Sequence, residues 1–184
     1  SCIMNHVSCI MKKNDGVTLV ELVVVITIIG ILAVALGFSF QGWLGGYNIE
    51  KQAKEMYVDL MNARTRAMQR NRTHCVTLAT NQYTIKEDMS PPPDGDGDCD
   101  DSGDTTVSRK VLDASYPIIW NGSGNEIKFT VQGLINVDKS ICSNTDEDAD
   151  YNCIEISATR VNIGKLTTTI PAGGDCNATN CVAK

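Results

Sequence analysis

Hydrophobic residues fall along this chain in three successive rhythms. From Val17 to Leu36 the chain is a twenty-residue apolar run that carries one charge, Glu21. At ~1.5 Å rise per residue, about 20 residues span a bilayer core of about 30 Å, so the run predicts a membrane-length helix. It can continue through Phe38 and Phe40 to Trp43. Further on, Ile49, Ala53, Met56, Tyr57, Leu60, Ala63 and Ala67 recur at helical spacing, with Lys51, Lys54, Asp59 and Asn62 off the stripe. This second rhythm predicts an amphipathic half whose apolar face packs on a sheet of its own domain. The two halves together predict one helix over Thr18–Gln69. The glycines between them, Gly37, Gly42, Gly45 and Gly46, predict a loosening or bend, since each costs about 1 kcal/mol in a helix. From Cys75 onward the period becomes two. Strands are predicted over Cys75–Ala79, Tyr83–Glu87, Val107–Leu112, Ile118–Trp120, Glu126–Val131, Leu134–Val137, Cys153–Ser157 and Val161–Leu166, with turns at Thr80–Gln82, Gln132-Gly133 and Ala158–Arg160. The expected class is α+β: a long N-terminal helical spine packed on a mostly antiparallel β head.

A lone acid near the start of an apolar helix needs a physical reason. A carboxylate at mid-bilayer costs roughly 2.5–3.5 kcal/mol, and such residues are usually paired and functional. If the chain were cut after Gly16, Val17 would carry a free amine one helical turn from Glu21. The two could then pair within one chain or between neighbours, and the helix N-terminus favours a negative charge as well. Two plainer readings stand beside this one. Lys12 and Lys13 before an apolar core also fit a secretory signal peptide, although the core exceeds the usual 7–15 residues and no small-x-small site follows. A signal anchor with a tolerated Glu is the other.

Lys12-Lys13-Asn14-Asp15-Gly16 followed by Val17-Thr18-Leu19-Val20-Glu21-Leu22 resembles the leader and cleavage site of type IV prepilins and type II secretion pseudopilins, with Val17 where Phe is usual. The resemblance implies cleavage by a prepilin peptidase between Gly16 and Val17, N-methylation of Val17, and Glu21 as the acid that pairs with a neighbour's amine during assembly. Residues 64–78 (RTRAMQRNRTHCVTL), Ile127–Gly133, Ile154–Ser157 and the Val161–Leu166 strand resemble the GspH/FimT group of minor pilins and pseudopilins. The implied layout is a leader over residues 1–16, a transmembrane or filament-core helix over 17–44, the amphipathic half of the spine over 45–72, and a β-rich head over 73–184. The implied partners are other pilin subunits, the prepilin peptidase and an inner-membrane assembly platform. The implied location is the bacterial inner membrane with the head in the periplasm, and then an assembled filament. Met11-Lys12-Lys13 reads as the start of a short leader, so residues 1–10 are set aside.

Charge and cysteine content bound the head. The chain has net charge −6, and loss of Lys12, Lys13 and Asp15 with the leader leaves the remainder near −7. That balance argues against nucleic acid, whose binding rests on phosphate neutralisation. The alternative function, a DNA-binding minor pilin of the FimT type, would use a basic Gly-Arg-x-Arg motif. The corresponding stretch here is Gly164-Lys165-Leu166-Thr167. Six of the eight cysteines lie beyond the apolar run: Cys75, Cys99, Cys142, Cys153, Cys176 and Cys181. In an exported domain they read as disulfides, with fifteen connectivities open. Closeness along the chain favours Cys142–Cys153 and Cys176–Cys181, and by elimination Cys75–Cys99. Zinc is a weaker reading, since there is no C-x2-C pair and only His74 is nearby.

Two acidic stretches are candidate sites. Asp94, Asp96, Asp98, Asp100 and Asp104 alternate with Gly and could ligate Ca2+ through oxygen. The segment from Asp98 imitates the opening of an EF-hand loop, but its twelfth position is Arg109 rather than Glu. Asp146, Asp148 and Asp150 repeat the theme, and at both places a solvated acidic loop is the simpler reading. Arg64, Arg66, Arg70 and Arg72 at the helix end are either a basic patch for an anionic partner or, the simpler reading, charges that complement the helix C-terminus. No catalytic constellation, P-loop or dinucleotide fingerprint is present, so an enzyme is not expected.

Overall fold

The computed structural model describes residues 16–92 and 95–184, with backbone only for residues 35–42. The leader residues 1–15, including Lys12, Lys13, Cys2 and Cys9, lie outside the described residues, as does Asp94. The chain divides into two units, Ser1–Phe40 and Gln41–Lys184. One helix, α1 (Leu19–Arg70), begins in the first and ends in the second.

In the first unit the described side chains of α1, Leu19 to Val34, lie open on every side, and Leu19, Ile31 and Val34 are among the most exposed apolar residues described. Among the described residues no helix is long and apolar enough to cross a membrane. The described apolar side chains of the first half of α1 stop at Val34, and the rest of the expected span, with Phe38 and Phe40, lies outside the description.

In the second unit the amphipathic stripe behaves as its spacing requires. Met56, Leu60, Ala63 and Ala67 are buried. They pack in one core with Val76, Leu78, Tyr83, Ile85, Ile127, Phe129, Ile141, Ile154 and Ile156 from the strands. Asn71, with φ 53°, ends the helix in the left-handed conformation, and the Arg72 amide donates back to Ala67 O at 3.2 Å.

Nine strands follow: β1 (His74–Ala79), β2 (Gln82–Glu87), β3 (Thr105–Val111), β4 (Ile118–Trp120), β5 (Glu126–Phe129), β6 (Lys139–Ser143), β7 (Cys153–Ser157), β8 (Arg160–Leu166) and β9 (Cys181–Ala183). They form two antiparallel sheets, in the orders β3-β2-β1-β5 and β4-β6-β7-β8-β9. The result is an α+β fold.

The strand assignments need correcting in one region. Leu134–Val137 is not a strand; it contributes one bridge, Phe129 to Ile135, because the Asn136 carboxamide takes the Lys128 amide that would have continued a ladder. β6 takes its place, and all five of its residues are buried. Its sequence, Lys-Ser-Ile-Cys-Ser, carries no alternating apolar signal. Lys139 is tolerated there because its ammonium donates to Gly124 O at 2.9 Å and lies 3.4 Å from Asn121 O. α1 runs through Gly45 and Gly46 without a break. They are close-approach positions, since an added Cβ at Gly46 would fall on Asp148 O and one at Gly45 would lie 2.7 Å from the Glu147 carboxylate carbon.

The cysteines pair as Cys75–Cys99, Cys142–Cys176 and Cys153–Cys181. The expected Cys142–Cys153 and Cys176–Cys181 bonds are therefore overturned. Cys142 and Cys153 stand opposite each other on β6 and β7, but each reaches across to the C-terminal segment instead. The same segment is also held by the short pairing of β9 with β8, by Asn180, whose carboxamide bonds Thr167 and Thr168, and by the Lys184–Asp150 pair.

Candidate functional site

The N-terminal site is built from three residue types in sequence. Gly16 has open space where a Cβ would be. Thr18 caps α1: its hydroxyl oxygen accepts from the Glu21 amide at 3.2 Å, and its carbonyl accepts from the Leu22 amide at 3.1 Å. Thr18 and Glu21 have the T-x-x-E spacing of a capping box, a structural signal the sequence reading did not use. Glu21 thus stands at the third helical position, where the helix end favours its charge. Among the described residues its carboxylate has no ion-pair partner. Beyond it the exposed side chains of Leu22 to Val34 surround the helix with apolar surface. Thr27 adds no unsatisfied donor there, because its hydroxyl bonds to Val24 O at 2.8 Å. A helix apolar on all sides is stable only when surrounded by lipid or by other apolar chains.

The chain carries the N-terminal methylation motif of type IV pilins. Residues 11–37 match the family described as "Prokaryotic N-terminal methylation motif". Gly16, Val17, Thr18 and Glu21 all lie inside this methylation motif, so the capped helix start and the matched segment are the same place. Among curated proteins, none matches this sequence. Two solved structures resemble it in fold. FimU, a type IV minor pilin of Pseudomonas aeruginosa, is 13% identical, with 66% of this chain and 91% of that chain covered at a TM-score of 0.49. EpsH, a minor pseudopilin of the type 2 secretion system of Vibrio cholerae, is 8% identical, with 63% of this chain and 94% of that chain covered at a TM-score of 0.47.

The head's acidic stretches are occupied by the protein itself. In the first, Asp104 accepts from the amides of Met89, Ser90 and Asp101, Asp96 accepts from Asp98 N, and Asp98 pairs with Lys128. Buried Asp88, which the sequence reading missed, accepts from Gly97 N at 2.7 Å and holds the loop from beneath. In the second, Asp146 accepts from the Thr169 hydroxyl, Asp148 pairs with Lys165 at 2.7 Å and Asp150 with Lys184 at 2.9 Å. The Asp150 amide donates to Glu50, whose carboxyl is held low by the Lys54 hydrogen bond, then by Asp150 N, against a desolvation that raises it. Among the described residues no group of three or more His, Cys, Asp or Glu side chains is placed to hold a metal ion.

The helix-end arginines divide. Arg64 donates to Gly133 O at 2.7 Å, and Arg70 pairs with Glu87 at 2.7 Å. Both are structural ties. Gly133, with φ 73°, is the turn residue that lies beneath Arg64 and Met68. His74 is fully buried with Nδ1 3.2 Å from Arg72 O, so it faces no cleft.

Proposed function

We propose that this chain is made as a prepilin and serves as a structural subunit, a minor pilin or pseudopilin, of a type IV-like filament. Prepilin peptidase cuts between Gly16 and Val17, Val17 is N-methylated, and the released amine becomes the partner of Glu21 on a neighbouring subunit. The apolar first half of α1 is held in the bacterial inner membrane with the head in the periplasm. The assembly platform then draws it into a filament made with other pilin subunits. The observation that carries this reading is the coincidence, within the matched residues 11–37, of a helix capped at Thr18, an acid at Glu21 with no ion-pair partner among the described residues, and exposed apolar side chains from Leu19 to Val34. Burial against sister helices would satisfy both the apolar surface and the acid, because misregistered packing would leave a charge unpaired in lipid.

The DNA-binding alternative has less support. Lys165, the single basic residue of the relevant motif, is already neutralised by Asp148, and Lys184 by Asp150. A phosphate would have to displace a carboxylate at each.

The deciding experiment is co-expression with a prepilin peptidase, followed by intact-mass and N-terminal analysis. The expected product begins at Val17 and is one methyl group heavier than the bare chain. A Gly16→Val variant should stay uncut, and since a side chain at Gly16 meets nothing, a processing defect there cannot be ascribed to misfolding. An unprocessed wild-type chain, or a cut elsewhere, overturns the proposal.

A further inference from the structure

The four-stranded sheet ends in an unusual edge. β3 pairs with β2 on one side only, and it is seven residues long. The other terminal strands, β4, β5 and β9, have three, four and three residues. Short edges are a common protection against unwanted pairing, and β3 lacks it. Its Val111 is 77% exposed.

The ladder shows which groups are free. Leu112 N donates to Asn81 O at 2.8 Å, and Val111 and Arg109 stand opposite Gln82 and Thr84. Hydrogen bonding alternates along an antiparallel pair, so Arg109 and Val111 turn their N–H and C=O groups away from β2. Val107 has no partner at the register shift, which leaves Ser108–Val111 as the straight part of the edge.

Beside this edge runs a groove against α1, within the second unit. One hollow of about 200 Å³ lies between Lys51, Glu55 and Val111. A second, of about 210 Å³, lies between Asp59, Arg66 and Ser108. The groove is marked by charge. Among the described residues, most basic side chains are tied to a carboxylate or a carbonyl, and those with neither are Lys51, Arg66, Arg109, Lys110 and Arg160. Lys51 and Arg66 line the groove, Lys110 shares the α1-facing side of the sheet with its pair Tyr83, and Arg109 stands on the outer face of the same edge, in a chain of net charge −6. Of the acids along the rim, Asp59 accepts the Tyr83 hydroxyl and Asp113 the Ser115 amide, leaving Glu55 in opposition.

We propose that the open edge of β3 is a strand-addition site for an extended acidic segment of a partner polypeptide. The segment's backbone pairs with the outward groups of Arg109 and Val111, and its carboxylates face Lys51, Arg66 and Lys110 on the α1 side of the edge. Main-chain pairing supplies affinity and the unpaired cations select acidic side chains. This inference does not rest on the reading of residues 11–37.

The test uses the full chain in detergent micelles and a blocked, fluorescein-labelled octapeptide alternating Val and Glu. Anisotropy should show saturable binding, and amide exchange should slow at Arg109 and Val111. The exposed double variant Arg109→Glu/Lys110→Glu should weaken binding roughly tenfold or more. Val111→Pro removes one outward donor without touching the β2 ladder and should abolish binding. No saturable binding, equal binding of the Val/Lys counterpart, unchanged binding in Val111→Pro, or competition by duplex DNA with the same Arg109 dependence would each overturn the proposal. In the first case Arg109 and Lys110 act only to keep the edge unpaired.

Discussion

Thr18 and Glu21 show how much one helix start can hold. The Thr18 hydroxyl caps the helix through the Glu21 amide, so the backbone of Glu21 has a structural task independent of its carboxylate. The two tasks separate by mutation. Glu21→Ala keeps the amide and removes an acid that costs roughly 2.5–3.5 kcal/mol at mid-bilayer. The variant should enter the membrane at least as well as the wild type and fail to join filaments. Membrane fractionation beside filament shearing measures both, and wild-type levels of sheared variant would remove Glu21 from assembly. Gly46 is the second informative residue. Alanine there improves helix propensity by about 1 kcal/mol, yet its Cβ falls on Asp148 O. The overlap should win, because the Glu147–Asp148 backbone must move and the Lys165–Asp148 pair moves with it. Gly46→Ala is expected to destabilise the head by about 1–3 kcal/mol in a denaturant titration.

Among the elements, β6 and the C-terminal segment matter most. Every residue of β6 is buried, although only Ile141 and Cys142 are apolar. The Lys139 side chain is admitted by the Gly124 carbonyl, whereas Ser143 Oγ is buried without a hydrogen-bond partner, and burial holds the Lys139 ammonium below its ordinary pKa. Cys142–Cys176 and Cys153–Cys181 pin the C-terminal segment across β6 and β7. They close sequence separations of 34 and 28 residues, far longer than the bonds closeness favoured. Replacing Cys142 and Cys176 by Ser should cost about 2–5 kcal/mol, measured as a lower urea midpoint. Removing Cys75–Cys99 should act on a different element, since it frees the acidic loop from β1 and leaves the five-stranded sheet in place. An equal loss of protection in β6 for both variants would contradict that separation.

At the scale of the whole molecule, stability should depend on acidity through His74. Burial holds its imidazole below the ordinary value of 6.5, opposed by the Arg72 carbonyl and by Glu87 at 3.9 Å, while Arg70 and Arg66 lower it further. In the unfolded chain the ring takes a proton near pH 6.5, and in the folded chain it does so only at lower pH. The unfolded state therefore binds more protons in the interval just below 6.5, and folding stability falls as pH drops through it. An NMR titration of the imidazole, with melting temperatures across the same interval, checks this. A folded-state value equal to 6.5 would remove the linkage, and one above 6.5 would reverse its sign.

The division between what the chain announces and what only folding decides follows contact range. The apolar run, the stripe from Met56 to Ala67 and the alternation in β1, β2, β7 and β8 were legible because each is a local period imposed by helix or strand geometry. The segment around Gly16 and Glu21 was legible for the same reason, since its meaning lies in neighbouring residues. β6 was not, because Lys139 and Ser140 are buried only by virtue of carbonyls and strands distant in sequence. Nor was the disulfide pairing, which depends on the C-terminal segment crossing two strands. The glycines at 45 and 46 read as weakness in a helix until Asp148 was found lying on them. Sequence alone determined the helix, the antiparallel class and the processing motif. Tertiary structure decided which polar groups are spent internally and which, along α1 and β3, remain open to a partner, because a charge is free or satisfied only according to what the fold brings beside it.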